Sequence, residues 1–400
     1  LGCGIRAIGT LTANESLLDE DIVIVDDRPR LGGGALKHYG ILSNSSGSDF
    51  FGWVDAQGRF ADLLAQPVVA SITSTTTAFA LPALGAALEA FGGRIAAGAG
   101  PNRVLSGARA KRVTLADDGD GPVTTVCELA DGRRIVSDIL VVATGVRERP
   151  HPVLGAWSHK TELSGRIVDV GSRVLAELFE RTGGAPRIAV AGASHSGFSV
   201  AVLVRALAQR LGAAPVVTLL HRSPVKLYYR SAEEARAVQI PGIETPVDPH
   251  RDVCPETGNV FRYSGLRHAS ADLFRAVARE RVPGFTLRRV EHLADAADAF
   301  DRADLVVQCL GYASNLPDIR GADGTPVAFA RKDGNTVLIG PDGRLQAEDP
   351  RLAARHAIFG LGLDPYPYDD NLGSPGSLYR ARGAQIRAAL QARAGDAALR

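Results

Sequence analysis

The sequence predicts an α/β protein built from two nested, doubly wound units, and three observations predict it. In Arg187-Ile-Ala-Val-Ala-Gly192-Ala-Ser-His-Ser-Gly197 a short apolar run ends in a Gly turn, and an Ala/Val/Leu-rich helical pattern, Val200 to Leu211, follows. Asp21-Ile-Val-Ile-Val-Asp26 reads as a buried strand ending in an acid. Two further buried runs, Asp138 to Gly145 and Asp304 to Gly311, each end in a glycine. They are the paired crossings that two nested units require.

Composition narrows the class. The chain has 400 residues, 45% apolar and 22% charged, which suits a globular protein of two to three domains with ample core. The 45 basic and 44 acidic residues nearly cancel without long blocks of one sign, so neither nucleic acid nor an anionic membrane is an expected partner. No apolar run reaches the length of a bilayer span. Cys3, Cys127, Cys254 and Cys309 are scattered, with no Cys-x-x-Cys. Neither a redox dithiol nor a metal site is expected, and few unpaired cysteines fit the cytoplasm. The chain contains no Met and opens on Leu1.

Taken in order, Leu1 to about Leu11 reads as a helix already under way. The first strand and its Gly-rich turn are therefore expected before Leu1. In a doubly wound fold the acid ending the second strand binds ribose hydroxyls, a place held by Asp26 or Asp27. In Arg30-Leu-Gly32-Gly33-Gly34 three glycines allow the backbone to approach a large flat ligand. A polar loop with Tyr39, Ser43, Asn44 and Ser45 follows. Ala78 to Phe91 is helical, broken by Pro82 and closed by Gly92-Gly93. Val104 to Val142 reads as short strands, with turns at 117–121 and 131–132. Pro150 and Pro152 mark a linker.

In the second unit, the turn holding Gly192, Ser194, His195, Ser196 and Gly197 brings backbone N–H groups and a helix N-terminus to a pyrophosphate. Its next strand, Val216 to Leu220, ends in His221-Arg222-Ser223. An NAD site carries an acid there; Arg222 between His221 and Ser223 suits a 2′-phosphate, so NADPH is expected. Lys226 to His268 is an insertion in which Tyr228, Tyr229, Arg251, Tyr263, Arg267 and His268 face substrate or the nicotinamide, or pack on one another. A helix over 269–279, a strand over 285–290, the Gly311-Tyr312 crossing, a strand-Gly segment from His356 through Gly362 to Asp364, and a helix over 379–394 complete the chain.

The order strand–acid, Gly-Gly, then Tyr39-x-x-apolar-Ser43-Asn44-Ser45-Ser46 resembles flavin-containing (class B) monooxygenases and their relatives with two Rossmann-like dinucleotide-binding domains. Ala143-Thr144-Gly145 is similar to the segment crossing between those domains. Gly155-Ala-Trp-Ser-His159 resembles the G-x-x-x-H core of their fingerprint, with Val153 in place of its Phe. Leu163 stands where Baeyer–Villiger enzymes carry Trp, which argues against that reaction. The resemblance covers nearly the whole chain. It implies FAD in a discontinuous domain, 1–155 and 311–400, and NADPH in an inserted domain, 156–310. It places Asn44 over the flavin near the site of oxygen reaction. It gives Gly362 and Asp364 the ribityl chain and pyrimidine edge.

The expected function is an FAD-dependent, NADPH-using monooxygenase. Hydride passes to flavin N5, and with no cysteine pair to receive electrons, molecular oxygen is the acceptor. A C4a-hydroperoxyflavin then oxygenates a soft nucleophile of a small molecule, amine nitrogen first and sulfur second. Two alternatives stand beside it: a flavin dehydrogenase or NADPH oxidase, and a non-enzymatic redox-sensing flavoprotein. Assembly as a homo-oligomer is left open.

Overall fold

Leu1 occupies the middle of the first sheet of the protein, seen in a computed structural model that describes residues 1–100, 102–116, 121–364, 370–371 and 373–398. Its amine donates to Val141 O at 2.6 Å, and its carbonyl accepts from Ala143 N at 2.7 Å. On the other side Gly2 N donates to Val25 O at 2.7 Å. These bonds join two parallel pairs, Ile24–Asp26 with Val104–Ser106, and Leu140–Val142 with Ile358–Gly360. The helix opens only at Ile5 and runs Ile5–Ala13. The Gly-rich turn expected upstream is therefore Gly2-Cys3-Gly4-Ile5-Arg6-Ala7. With a single apolar residue before Gly2, the sequence had no strand pattern to mark it. Gly2 is left-handed (φ 84°), and a Cβ there would lie 2.6 Å from Ala143 O.

The helix predicted over 78–91 runs Leu81–Gly98. Pro82 does not break it but sits in its first turn, where no N–H is needed. Gly92 lies inside the helix, because a Cβ there would run into Leu31 O. Gly32, at φ 100°, packs as tightly on Leu88 O of the same helix, and Gly33 faces Glu89 and Gly85 O. The Gly32–Gly33 pair thus brings loop and helix together; only Gly34 has open space beside it. Phe51, Phe60, Phe91, Trp53 and Tyr379 fill the core beneath.

The meander forms antiparallel strands Ala110–Ala116, Thr124–Leu129 and Arg134–Ser137. Asp131-Gly132 makes the second hairpin, with Gly132 at φ 89°. Most of the predicted first turn, 117–120, lies outside the described residues.

The second sheet is five-stranded and parallel, in the order Phe285–Arg289, Val216–His221, Arg187–Ala191, Leu305–Gln308, Thr161–Leu163. Alternation along its strands supplies both faces. Ile188, Val190, Val217, Leu219, Leu305 and Val307 pack on helices His195–Leu211 and His268–Ala278. Ala189, Ala191, Leu220 and Val306 pack under Leu154 and Phe300. Both faces are covered, as a doubly wound sheet requires. The two crossings meet: Val146–Arg147 pairs antiparallel with Ala313–Ser314. Among the described residues no helix is long and apolar enough to cross a membrane.

Candidate active site

Each sheet ends in an uncapped helix. At Gly4, the N-cap of Ile5–Ala13, and at Ser194, the N-cap of His195–Leu211, no side chain accepts from the first turn. The free N–H groups and the helix dipole make each end a place for an anion. Gly192 (φ 109°) closes on Cys309 O, and Gly197 closes on Gly192 O. A side chain at either would force the turn open. Beside the first turn, Asp26 is buried and accepts from Cys3 N (2.6 Å) and Arg28 N (2.9 Å). Asp27 points to solvent and pairs with Arg109 at 3.6 Å. Of the two acids, Asp26 is the one held at the turn.

The crossings form a clamp. Thr144 Oγ1 donates to Asn315 O, Asn315 Nδ2 returns to Thr144 O (3.2 Å), and Asn315 N donates to Gly145 O (2.9 Å). Ala143 is bonded to Leu1. From the other crossing, after the open Gly311, Tyr312 reaches the second turn, its hydroxyl 3.3 Å from Ser196 Oγ. Burial raises the Tyr312 phenol pKa, with a further push from nearby Glu148. The neighbouring Tyr39 is raised to about 12, mainly by burial and then by Tyr312. Glu148 accepts from Ser164 N and Oγ and Gly165 N, capping the short helix Ser164–Val168. Sequence reasoning had given Glu148 no role.

Asn44 joins the two units. Its Oδ1 accepts from Arg267 N at 3.0 Å, which fixes the amide's orientation, because a backbone N–H can only donate. Nδ2 then donates to Gly265 O (3.0 Å) and lies 2.7 Å from His195 Nε2. The same Nε2 lies 3.1 Å from Gly265 O, and burial lowers the His195 pKa. Ser43 is buried and locks the loop, donating to Ser45 O (2.5 Å) and accepting from Phe79 N (3.2 Å).

His221, Arg222 and Ser223 lie at the end of Val216–His221. Arg222 and Ser223 are exposed, and His221 Nδ1 lies 3.1 Å from Ser223 O. Gly362 (φ 64°) packs on the Arg6 side chain; burial lowers the Arg382 pKa, and Asp364 lies near enough to oppose that shift in part. His159 and Gly155 are exposed on the 3₁₀ helix Pro152–Lys160, whose Leu154 is its buried anchor. The fingerprint-like stretch thus packs a linker.

The insertion is tied down by acids that sequence reasoning missed. Buried Asp370 accepts from Tyr263 N (2.6 Å), Ser264 N (3.0 Å) and Ser264 Oγ (2.5 Å). Glu256 accepts from Ser374 N (2.9 Å) and Ser377 Oγ (2.6 Å). Asp49 holds Arg267 at 3.0 Å. No sequence motif marks such partners, since each bond spans more than a hundred residues. Of the aromatics singled out there, Tyr229 is buried against Glu244, Tyr228 lies under the Arg267 guanidinium at 3.8 Å, and Tyr263 donates to Gly373 O. Arg267 and His268 line a cavity of about 290 Å³, together with Ile41, Leu42, Asn44 and Val202. No cluster that could hold a metal ion occurs among the described residues.

Solved structures share this architecture over almost their whole length. Ornithine N-hydroxylase from Kutzneria sp. 744, solved with reduced FAD, NADP+ and L-ornithine, matches with a TM-score of 0.58 at 14% identity, over 98% of each chain. The FAD-bound cadaverine monooxygenase of Erwinia amylovora matches at 0.59 and 12% identity, over 96% of this chain and 92% of that one. The fold is that of the flavin-containing class B monooxygenases, with two dinucleotide-binding domains. No family model matches the chain. In sequence it is 31% identical over 390 residues to CMP-5′-(3-aminopropyl)phosphonate hydroxylase from Streptomyces rubellomurinus, covering 92% of this chain and 87% of that protein. The chain belongs to the family of that hydroxylase.

Proposed function

We propose that the protein is an FAD- and NADPH-dependent monooxygenase that hydroxylates the amine nitrogen of a small molecule, with molecular oxygen as co-substrate. FAD belongs to residues 1–155 and 311–400, NADPH to 156–310, and the setting is the cytoplasm. The observation that carries this reading is the pair of uncapped Gly turns, at Gly4 and Ser194, held in one body by the Asn44 contacts. The residues suit the groups. Gly4 and Gly34 leave open space where a Cβ would stand, so a ligand can approach the backbone closely. Asp26 spends two bonds on backbone donors and, as a carboxylate, keeps lone pairs for ribose hydroxyls.

When bound, the two nucleotides supply hydride transfer and oxygen activation. The chain's part is to bind and orient. N–H groups of the first turn hold the FAD pyrophosphate, with Gly32, Gly33 and Gly34 shaping the loop beside it. Ala143, Thr144, Gly145, Gly362 and Asp364 border the same nucleotide. Gly192, Ser194, Ser196 and Gly197 hold the second pyrophosphate, and exposed Arg222, flanked by His221 and Ser223, holds the 2′-phosphate. Tyr39, Ser43, Ser45, Gly311 and Tyr312 line the space between. Asn44, bonded to Gly265 O and Arg267 N and 2.7 Å from His195 Nε2, keeps His195 and the Gly265 turn in register at the junction. All four cysteines are free and buried, so no dithiol stands ready to take electrons. The relative's name directs the amine reading: its substrate carries a primary amine on a short chain. The purified protein is tested for yellow colour and for bleaching by NADPH without air. Amine-dependent oxygen uptake with hydroxylamine formation is measured next. A colourless protein that takes up no FAD overturns the reading; NADPH oxidation giving only peroxide with every amine makes it an oxidase.

A further inference from the structure

The first crossing carries three charges in a row, Arg147-Glu148-Arg149. They part company in the fold. Glu148 turns to the second unit, accepting from Ser164 N, Ser164 Oγ and Gly165 N. Arg147 and Arg149, on either side of it, are exposed and pair with no carboxylate among the described residues. The Arg149 backbone is pinned: its carbonyl accepts from Gln308 Nε2 at 2.7 Å, and His151 N donates to Gln308 Oε1 at 2.7 Å. Buried Gln308 is the last residue of Leu305–Gln308. The second sheet runs outward from Arg187–Ala191 to Phe285–Arg289, then returns to the other side of Arg187–Ala191 at Leu305–Gln308. The carboxyl end of that strand pair is the switch point, where open α/β sheets bind their ligands. Gly192 of the second Gly turn closes on Cys309 O there.

A second guanidinium reaches Arg149 from the hairpin of Arg331–Lys332 with Thr336–Val337. Arg331 Nη1 donates to Asn335 O (2.9 Å), the carbonyl that also accepts from Ser314 N (3.2 Å) of the second crossing. Partial burial lowers the Arg331 pKa, Arg149 lowers it further, and no carboxylate acts in the opposite sense. The pattern differs from that of arginines elsewhere in the same unit. Arg112 and Arg320 share one acid, Asp318, at 3.2 and 2.9 Å. Two like charges held close at a ligand-binding edge, with the neighbouring acid turned away, repel until an anion joins them.

We propose that Arg149 and Arg331 form a binding site for a phosphoryl group at this edge of the second sheet. The planar fork of each guanidinium matches phosphate oxygens, and the bound anion offsets the repulsion between the two cations. The phosphoryl group belongs either to the amine substrate or to the nicotinamide dinucleotide, and the two sources are separable by measurement. Only the substrate source rests on the amine reading above; the site itself does not.

Calorimetry on the FAD-loaded full chain follows three probes: aminoethyl phosphate, ethylamine and NADP+. With a substrate phosphate, the wild type binds aminoethyl phosphate about tenfold or more tightly than ethylamine. Arg149→Gln and Arg331→Gln each weaken aminoethyl phosphate about tenfold, Arg149→Lys weakens it less, and ethylamine stays within about twofold. With a cofactor phosphate, the same loss falls on NADP+ and the two amines bind alike in every variant. Inorganic phosphate competes with whichever probe is affected, a wild-type measurement that needs no variant to fold. Unaltered binding of all three probes in both glutamine variants, or a wild type in which inorganic phosphate displaces neither aminoethyl phosphate nor NADP+, overturns the inference. A chain that holds aminoethyl phosphate through these arginines yet oxidises no NADPH overturns instead the amine reading and leaves the site standing.

Discussion

Asn44 Nδ2 stands 2.7 Å from His195 Nε2, across 151 positions of sequence. One residue comes from the loop after the first unit's Gly-Gly, the other opens the helix behind the second unit's Gly turn. With Gly265 O and Arg267 N also bound to the same amide, a single side chain ties three segments together. Asn44→Ala frees all three. We expect a larger share of NADPH consumption to end as hydrogen peroxide, and a stability loss of about 2–3 kcal/mol at roughly 1 kcal/mol per bond. Parallel assays of peroxide and product measure the first, and denaturant unfolding the second. Unchanged coupling would remove Asn44 from the site.

Arg222 stands exposed at the end of Val216–His221. Charge-assisted hydrogen bonds to a phosphate contribute about 1.5–3 kcal/mol. Arg222→Ala should therefore raise KM for NADPH by roughly 10- to 100-fold while leaving KM for NADH nearly constant. Equal effects on both nucleotides would show that the 2′-phosphate is read elsewhere.

Asp370 is a buried acceptor of three bonds from Tyr263 and Ser264. Asp370→Ala leaves those donors unsatisfied, at a cost of roughly 3 kcal/mol or more. The 226–268 segment should become the first site of limited proteolysis and Tm should fall. An unaltered cleavage pattern would mean that Glu256 and Asp49 suffice to hold the insertion.

His356 is almost fully buried, and burial together with Arg344 pushes its pKa down from 6.5 to about 4. Below 6.5 the unfolded chain binds the proton and the folded one does not. Stability from the neutral ring is therefore complete above pH 6.5 and is lost as pH falls towards 4. The depression corresponds to about 3 kcal/mol at most. His356→Gln should flatten the decline between pH 6.5 and 4 in chemical denaturation series, and an identical decline would assign it to other groups.

Sequence by itself determined the α/β class, the Gly turn of the second unit, the strand-end Asp26, the meander and the two crossings. These follow from local chemistry: apolar runs of strand length, glycines where the chain must turn left-handed, and acids at strand ends. The first Gly turn was equally present, as Gly2-x-Gly4-x-x-Ala7, but one residue is too short a run to reveal a strand. Only the tertiary structure decided that Leu1 fills the gap in the sheet and that Gly32 and Gly33 serve helix packing. It alone made Asn44 a bridge and assembled Asp49, Glu256, Asp370 and His268 around the junction. Those contacts join residues far apart in the chain, where burial and exact hydrogen-bond geometry, rather than any local pattern, select the partner.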